Sequence, residues 1–431
     1  MRILLINVDW PFYKGKDLFP LGIAYVAKAA MLSGNAKELR VIDLNVETRS
    51  DSSIAQVAKN YDLVGLSFTT PSATRAKRLA ALIKHSNPEC LVIGGGIHAS
   101  FLAESCLDWF DLVMKGEGEV TFINLLNKIE EIKEDWKQLS TIKGIAFKLE
   151  NKYIDTGWSE PVDINWIDRP AYQFFDLDKY NIMSVISSRG CSYNCIYCAA
   201  QRFWRGLRLR KPELVVKELS WLAERGKKLI KFHDSTFTLV RSHAIKVCNL
   251  IKKEMLDLKW SCETRAENLD KELVKSMRDA GCIKACIGVD SGSTKILNTC
   301  KRNVNLSKLK TSIKNLKEAG IKVRIYLIFG LPGENETTVK ETLNLIKQLQ
   351  PNEVMLSLAT AYPGTQLWDD LSQGHATALD ADESWLKQFT GHALGAPIYL
   401  PKTLTKQAYM KLASWLRQEL KQMRKRLMRK N

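Results

Sequence analysis

The chain has 431 residues, enough for about three domains at roughly 150 residues each. Hydrophobic residues make up 45% and charged residues 26%, with 24 Gly and 12 Pro, which excludes collagen-like, low-complexity and wholly disordered chains. Sixty-four Lys and Arg against 47 Asp and Glu give a formal charge of +17, which favours anionic partners such as nucleotide cofactors, phosphates, nucleic acid or lipid headgroups. Nine bases and one acid in residues 406–431 supply +8 of that excess, so the rest of the chain is only modestly basic. No run reaches the roughly 20 apolar residues of a membrane span, because the best candidate, 18–32, is interrupted by Lys28. Residues 1–8, followed at once by Asp9, are too short for a signal peptide's apolar region, and a cytoplasmic location is expected.

The first 130 residues alternate β-branched runs with amphipathic stretches, as repeated βα units do. Strands are predicted over 2–8, 39–45, 63–70, 91–95 and 112–115, and helices over 22–32, 72–85 and 120–132. The expected fold is α/β: an N-terminal doubly wound parallel sheet over 1–135 with its ligand above the carboxyl ends of the strands. Those ends carry Ser67, Phe68, Thr69 and Thr70, then Gly94, Gly95, Gly96 and His98, then Gly116 and Glu117. A hairpin at 142–156 and a segment rich in Asp, Trp and Pro at 158–180 read as a linker over 136–180. A second βα series follows over 181–370, with strands at 182–188, 229–234, 259–264, 283–290, 322–329 and 353–360. Six units are too few for a closed eight-unit barrel and fit a partial (β/α)6 barrel. Residues 371–431 are expected to form a helical cap ending in a basic helix.

Ten cysteines in a chain without an export signal point to a reducing compartment, where thiolates bind metal or stay free. Cys191, Cys195 and Cys198 stand together just after the first strand of the second series. Three thiolates so spaced wrap one face of an iron–sulfur cubane and leave its fourth iron without a protein ligand. A structural zinc ion wants four ligands, and no fourth Cys or His lies nearby in sequence. Zinc and unligated core thiols are the competing readings. Cys282 and Cys286, four residues apart in a buried strand pattern, read as core thiols, as do Cys248, Cys262 and Cys300.

With its three-then-two spacing and Tyr197 before the third cysteine, the segment resembles the cluster motif of the radical S-adenosylmethionine superfamily. The resemblance runs through the strand ends: Asp234 after the second, Arg265 after the third, Asp290 and Ser291 after the fourth, Gly330 after the fifth. It implies a [4Fe-4S] cluster on Cys191, Cys195 and Cys198, and S-adenosylmethionine (SAM) held by Tyr197, Asp234, Arg265, Asp290, Ser291 and Gly330. Asp290 stands where the family usually has Glu, so the implied ribose contact is one methylene shorter or comes through water. The first domain, with Phe19-Pro20-Leu21-Gly22, the turn from Gly94 to His98 and Gly116-Glu117-Gly118-Glu119, resembles the cobalamin-binding subfamily. That resemblance implies cobalamin against Ser67, Phe68, Thr69, Thr70, Gly94, Gly95, Gly96, His98, Gly116 and Glu117. Many cobalamin domains supply a cobalt-ligating His from an Asp-x-His-x-x-Gly loop. Here the second strand ends Asp43-Leu44-Asn45, so a base-off cofactor without a protein His on cobalt is expected.

The implied activity is methylation of an unactivated carbon: a 5′-deoxyadenosyl radical abstracts hydrogen, and methylcobalamin held over the barrel mouth delivers the methyl group. Ring contraction or oxidative cyclisation without methyl transfer is the alternative within the subfamily, and a non-catalytic cobalamin or iron–sulfur sensor the alternative outside it. The implied partners are a small-molecule or peptide substrate and an electron donor such as flavodoxin or ferredoxin. No nucleic-acid module is recognisable. The apolar spacing of Leu416, Leu420, Met423 and Leu427 in the basic segment predicts a docking face, or a helix lying on a membrane surface.

Overall fold

The computed structural model describes residues 1–10, 18–379 and 398–428. These fall into two compact units, Met1–Ser184 with Phe203–Arg205, and Val185–Arg202 with Gly206–Asn431.

The first unit is built on a seven-stranded sheet in the order β2-β1-β3-β4-β5-β6-β7. Its strands are β1 (Arg2–Asn7), β2 (Glu38–Asp43), β3 (Leu63–Ser67), β4 (Leu91–Gly95), β5 (Leu112–Met114), β6 (Ile145–Leu149) and β7 (Lys152–Asp155). The first five are parallel, and both faces are covered, as their near-continuous apolar runs require. On β1, Leu4 and Ile6 enter one core with Ile42, Val64, Leu79 and Ile83, whereas Ile3 and Leu5 enter another with Ile23, Ala27, Ile93 and Leu125. Chain order reverses at β1, which lies between β2 and β3, so the ligand crevice of such a sheet opens at the carboxyl ends of β1 and β3. The hairpin expected in the linker is instead part of this sheet: β6 pairs antiparallel with β5, and Val113 faces Ala146. Ile145 and Phe147 are fully buried, and that apolar face is what draws the hairpin onto the edge. The helix expected over 120–132 is divided at Lys128 into Gly118–Asn127 and Ile129–Glu134. Residues 158–180 wrap the unit, with Tyr172, Phe175 and Tyr180 closing around Phe19.

The second unit carries a six-stranded sheet in chain order: β8 (Met183–Val185), β11 (Leu229–Phe232), β12 (Lys259–Thr264), β13 (Cys282–Asp290), β14 (Lys322–Phe329) and β15 (Glu353–Leu358). Strands β11 to β15 are parallel, and helices connect them, as a partial barrel requires. A two-stranded ribbon, β9 (Ser188–Arg189) with β10 (Arg208–Leu209), flanks the first turn. Past residue 366 the described chain is not wholly helical. Between the helices Gln366–Ser372 and Lys406–Met428 lie two short antiparallel strands, Thr377–Leu379 and Ile398–Leu400. The apolar seam of the last helix is used within the unit, since Tyr409, Leu412, Ala413 and Leu416 pack with Phe329, Val339 and Leu343, and Leu420 and Met423 join them. This is the docking face; the side chain of Leu427 and residues 429–431 lie outside the described residues. Among the described residues no helix is long and apolar enough to cross a membrane.

Candidate active site

Cys191, Cys195 and Cys198 stand on the loop between β9 and the helix Ala200–Trp204. The other seven cysteines are buried, whereas these three are partly or fully exposed. Loss of water pushes the Cys198 thiol up to about 11 and the Cys195 thiol upward, and in both the neighbouring thiols add to the rise. No three His, Cys, Asp or Glu side chains among the described residues converge on a single ion. Three contacts brace the loop. Ile196 N–H donates to the Cys300 carbonyl at 3.3 Å. The Tyr193 ring lies 3.6 Å under the Arg265 guanidinium, and the Tyr197 hydroxyl donates to Asp290 Oδ2 at 2.7 Å.

The strand ends of the second unit divide into braces and open groups. Asp234 is fully committed: it accepts from the Ser187 backbone N–H at 3.1 Å and from the hydroxyls of Ser187 and Ser188, and so fixes the turn leading to the cluster loop. Arg265 is held by Glu267 and by the Asn303 carbonyl, both at 2.9 Å, and braces Tyr193. Asp290, at φ +66°, ends β13 beyond a register shift and takes Arg302 Nε at 2.7 Å on the oxygen that also receives Tyr197. Burial pushes its carboxyl up to about 6. Ser291 is buried, with its Oγ 3.3 Å from Thr342 Oγ1. Gly330, at φ +90°, is a glycine for a reason of packing, since a Cβ there would stand 2.5 Å from the Tyr409 ring. Its amide donates to Glu334 Oε2 at 3.3 Å, which leaves the turn's backbone, not a side chain, to face a ligand.

In the first unit the predicted residues separate in the same way. Phe68 is buried, stacked on Phe110 and tilted on His98, so its side chain belongs to the core. A Cβ on Gly94 would meet Phe110 at 2.6 Å, and one on Gly116 would meet Ser159 Oγ at 2.6 Å, so these two glycines serve packing. Gly95 ends β4 with nothing within 4 Å of an added Cβ, which is open space beside the crevice. His98 is buried, its Nδ1 is 3.0 Å from Thr70 Oγ1, and desolvation pulls it down to about 4, so the ring is neutral and engaged. Ser67 and Thr69, half-buried, edge the crevice, and Glu117, buried, precedes the helix Gly118–Asn127. Asp43, where the second strand ends, accepts from Asn7 Nδ2 and from the Tyr180 hydroxyl, each at 2.8 Å.

The Radical SAM superfamily model matches residues 185–346, and the B12 binding domain model matches 14–126. An uncharacterized methyltransferase of Pyrococcus horikoshii is 31% identical over 367 residues, covering 81% of this chain and 78% of the relative. The chain belongs to the cobalamin-dependent radical SAM enzymes. The anaerobic magnesium-protoporphyrin IX monomethyl ester cyclase of Cereibacter sphaeroides is 27% identical over 407 residues, covering 90% of this chain and 64% of the relative. The methyltransferase TsrM of Kitasatospora setae, solved with cobalamin and a [4Fe-4S] cluster bound, has the same fold at a TM-score of 0.80 and 18% identity, over 96% of this chain and 91% of that one.

The cofactors of a cobalamin-dependent radical SAM enzyme are a [4Fe-4S] cluster, SAM and cobalamin, and the residues present suit each. The cluster has three free thiols on one loop, all reached by solvent where the other seven are buried. For SAM, Arg302 beside Asp290 has a buried Nη1 that makes no hydrogen bond and stands 3.7 Å from the carboxylate oxygen Glu267 Oε1. Cobalamin has the open space at Gly95. Arg302 was not among the residues expected from sequence, and only a fold that returns the chain past β13 shows it. A second group was missed as well. Lys231 Nζ stands 2.9 Å from Glu263 Oε1, and the Tyr326 hydroxyl donates to the same oxygen at 3.0 Å. A signal for it existed, because these polar residues interrupt strands that should read as apolar runs if both faces were packed.

Proposed function

We propose that this enzyme is a C-methyltransferase acting on a carbon without an acidic proton. When bound, the cluster with SAM supplies hydrogen-atom abstraction, and cobalamin supplies the methyl group. The observation that carries the reading is the pairing, in one chain, of a three-thiol loop at the strand ends of a partial barrel with a doubly wound sheet whose β4 end is left open at Gly95. A carbon acid or a heteroatom could be methylated by SAM alone, so a radical generator and a methyl carrier in one chain favour an acceptor that must first lose hydrogen.

The chain's own residues hold and orient. Cys191, Cys195 and Cys198 hold the cluster; because the Cys195 and Cys198 thiols are pushed up in its absence, loading releases protons. Arg265 and Asp290 keep the cluster loop in place through Tyr193 and Tyr197. Arg302, Ser291 and the backbone of Gly330 face SAM, and Ser67, Thr69, Thr70 and Gly95 line the cobalamin side. The proposed binding mode is base-off with no protein imidazole on cobalt, in keeping with a His98 whose Nδ1 is engaged by Thr70. A flavodoxin or ferredoxin is the proposed electron donor.

The test is anaerobic turnover of the reconstituted enzyme with methyl-labelled SAM. Each product should carry one labelled methyl, accompanied by one 5′-deoxyadenosine and one S-adenosylhomocysteine. Release of 5′-deoxyadenosine with product but with neither S-adenosylhomocysteine nor methyl gain refutes methyl transfer and favours cyclisation, the reaction named for the Cereibacter relative.

A further inference from the structure

The inner face of the second unit's sheet is polar where a closed barrel would be packed with Val, Ile and Leu. Side chains alternate across each strand. Ile230, Phe232, Trp260, Cys262, Ala285, Ile287, Val323 and Ile325 are buried on the face that carries the helices. The opposite face presents Lys231, Glu263 and Tyr326, from three strands, tied by the bonds at 2.9 and 3.0 Å through Glu263 Oε1. Lys231 is 20% exposed and Glu263 27%, so solvent reaches this ion pair inside the sheet's curve. One alternation further along β11 and β12 stand His233 and Arg265, so Lys231 and Glu263 lie about 7 Å below those positions at 3.3 Å per residue, while Tyr326 sits a step higher, level with Gly288 where Glu263 is level with Cys286. His233 is the second observation. Its Nε2 is buried with no hydrogen-bond partner, and loss of water together with the nearby Lys231 charge keeps its ring neutral, at about 3.

We propose that Lys231, Glu263, Tyr326 and His233 form the floor of the substrate site, and that the substrate is a dipolar, water-soluble small molecule with an ammonium and a carboxylate. This rests on the methyltransferase reading and names its substrate class. Lys231 and Glu263 offer one group of each sign, and the neighbouring Arg324 and Lys284 are both paired with Glu353. A ligand carrying both signs can replace the internal pair by two pairs, carboxylate to Lys231 and ammonium to Glu263. Hydrocarbon laid on the same floor would strip water from two charges and return nothing. The neutral His233 gives a further hydrogen bond at the level of the strand ends, next to where the reacting carbon must lie.

The experiment incubates the reconstituted holoenzyme and methyl-labelled SAM with a protein-free extract of the source cells, divided into a chloroform-soluble and a water-soluble portion. The result expected is a labelled product from the water-soluble portion only, retained on a cation exchanger at acidic pH once SAM and its own products are removed. Label in the chloroform-soluble portion, or a water-soluble product that is not retained, overturns the inference while leaving methyl transfer intact. Absence of any labelled product removes the methyltransferase reading and the inference with it. The captured compound is then measured by equilibrium dialysis against Lys231→Met and Glu263→Gln. Each should bind it at least tenfold more weakly, with iron content, SAM retention and substrate-free SAM cleavage unchanged. Equal binding by both variants and the wild type rejects the floor.

Discussion

Substituting Gly96 by Ala separates the two reasons for a glycine at a cofactor crevice. Gly96 has φ +97° and ψ −178°, a region that side-chain-bearing residues essentially do not enter, and forcing Ala into it costs about 1–3 kcal/mol. The new Cβ would stand 2.5 Å from the Phe68 carbonyl oxygen and 3.1 Å from its nitrogen. Both are backbone atoms at the end of β3, and Phe68 N–H is already bonded to the Gly95 carbonyl at 3.1 Å, so neither can step aside as a side chain would. Overpacking of this kind adds about 1–3 kcal/mol. A loss of about 3 kcal/mol in a unit of this size lowers Tm by about 6–12 °C. Gly95→Ala is the control, because it has ordinary backbone angles and nothing within 4 Å, and it should stay within about 0.5 kcal/mol. Gly95→Leu should keep the stability yet lose cobalamin, since it fills the open space. The assay is thermal unfolding of the cofactor-free protein by circular dichroism, followed by cobalamin retention on gel filtration. A Gly96→Ala protein melting within about 2 °C of wild type, or a Gly95→Ala protein falling as far as it, would refute the reasoning.

Replacing any of Cys191, Cys195 or Cys198 by Ala should remove most of the bound iron after anaerobic reconstitution, whereas the buried Cys282 and Cys286 should tolerate the change; equal losses would move the cluster elsewhere. His98, held at about 4 by desolvation against 6.5 when unfolded, binds its proton more readily in the unfolded chain. Its contribution is therefore present above 6.5 and is lost as pH falls toward 4, by at most about 3 kcal/mol, and His98→Gln should flatten that part of a denaturation series. Paramagnetic resonance of the cobalt(II) enzyme should show no axial nitrogen coupling; a nitrogen triplet contradicts the base-off assignment.

Local chemistry was legible in the sequence because it depends on neighbours in the chain. Five parallel strands in each unit follow from apolar runs between turn residues, and β4, β12 and β14 have the boundaries expected of them. The three cysteines follow from spacing alone, and the likeness of the strand ends to a known family supplied the cofactors. Tertiary structure decided what each of those strand ends does, because each role depends on groups far away in sequence. Asp234 meets Ser187 and Ser188 across 47 and 46 positions, so its carboxylate braces a turn that no local pattern records. Gly330 answers to the ring of Tyr409 in the last helix. The hairpin at 145–155 joins the first sheet because β5 has an unpaired edge there, which no local pattern records. Glu263 receives Lys231 from the neighbouring strand and Tyr326 from two strands away, at a separation of 63 residues. Alternation along a strand fixes that such residues share a face, but only the order and register of the strands, set by burial of the opposite face, brings their charges together.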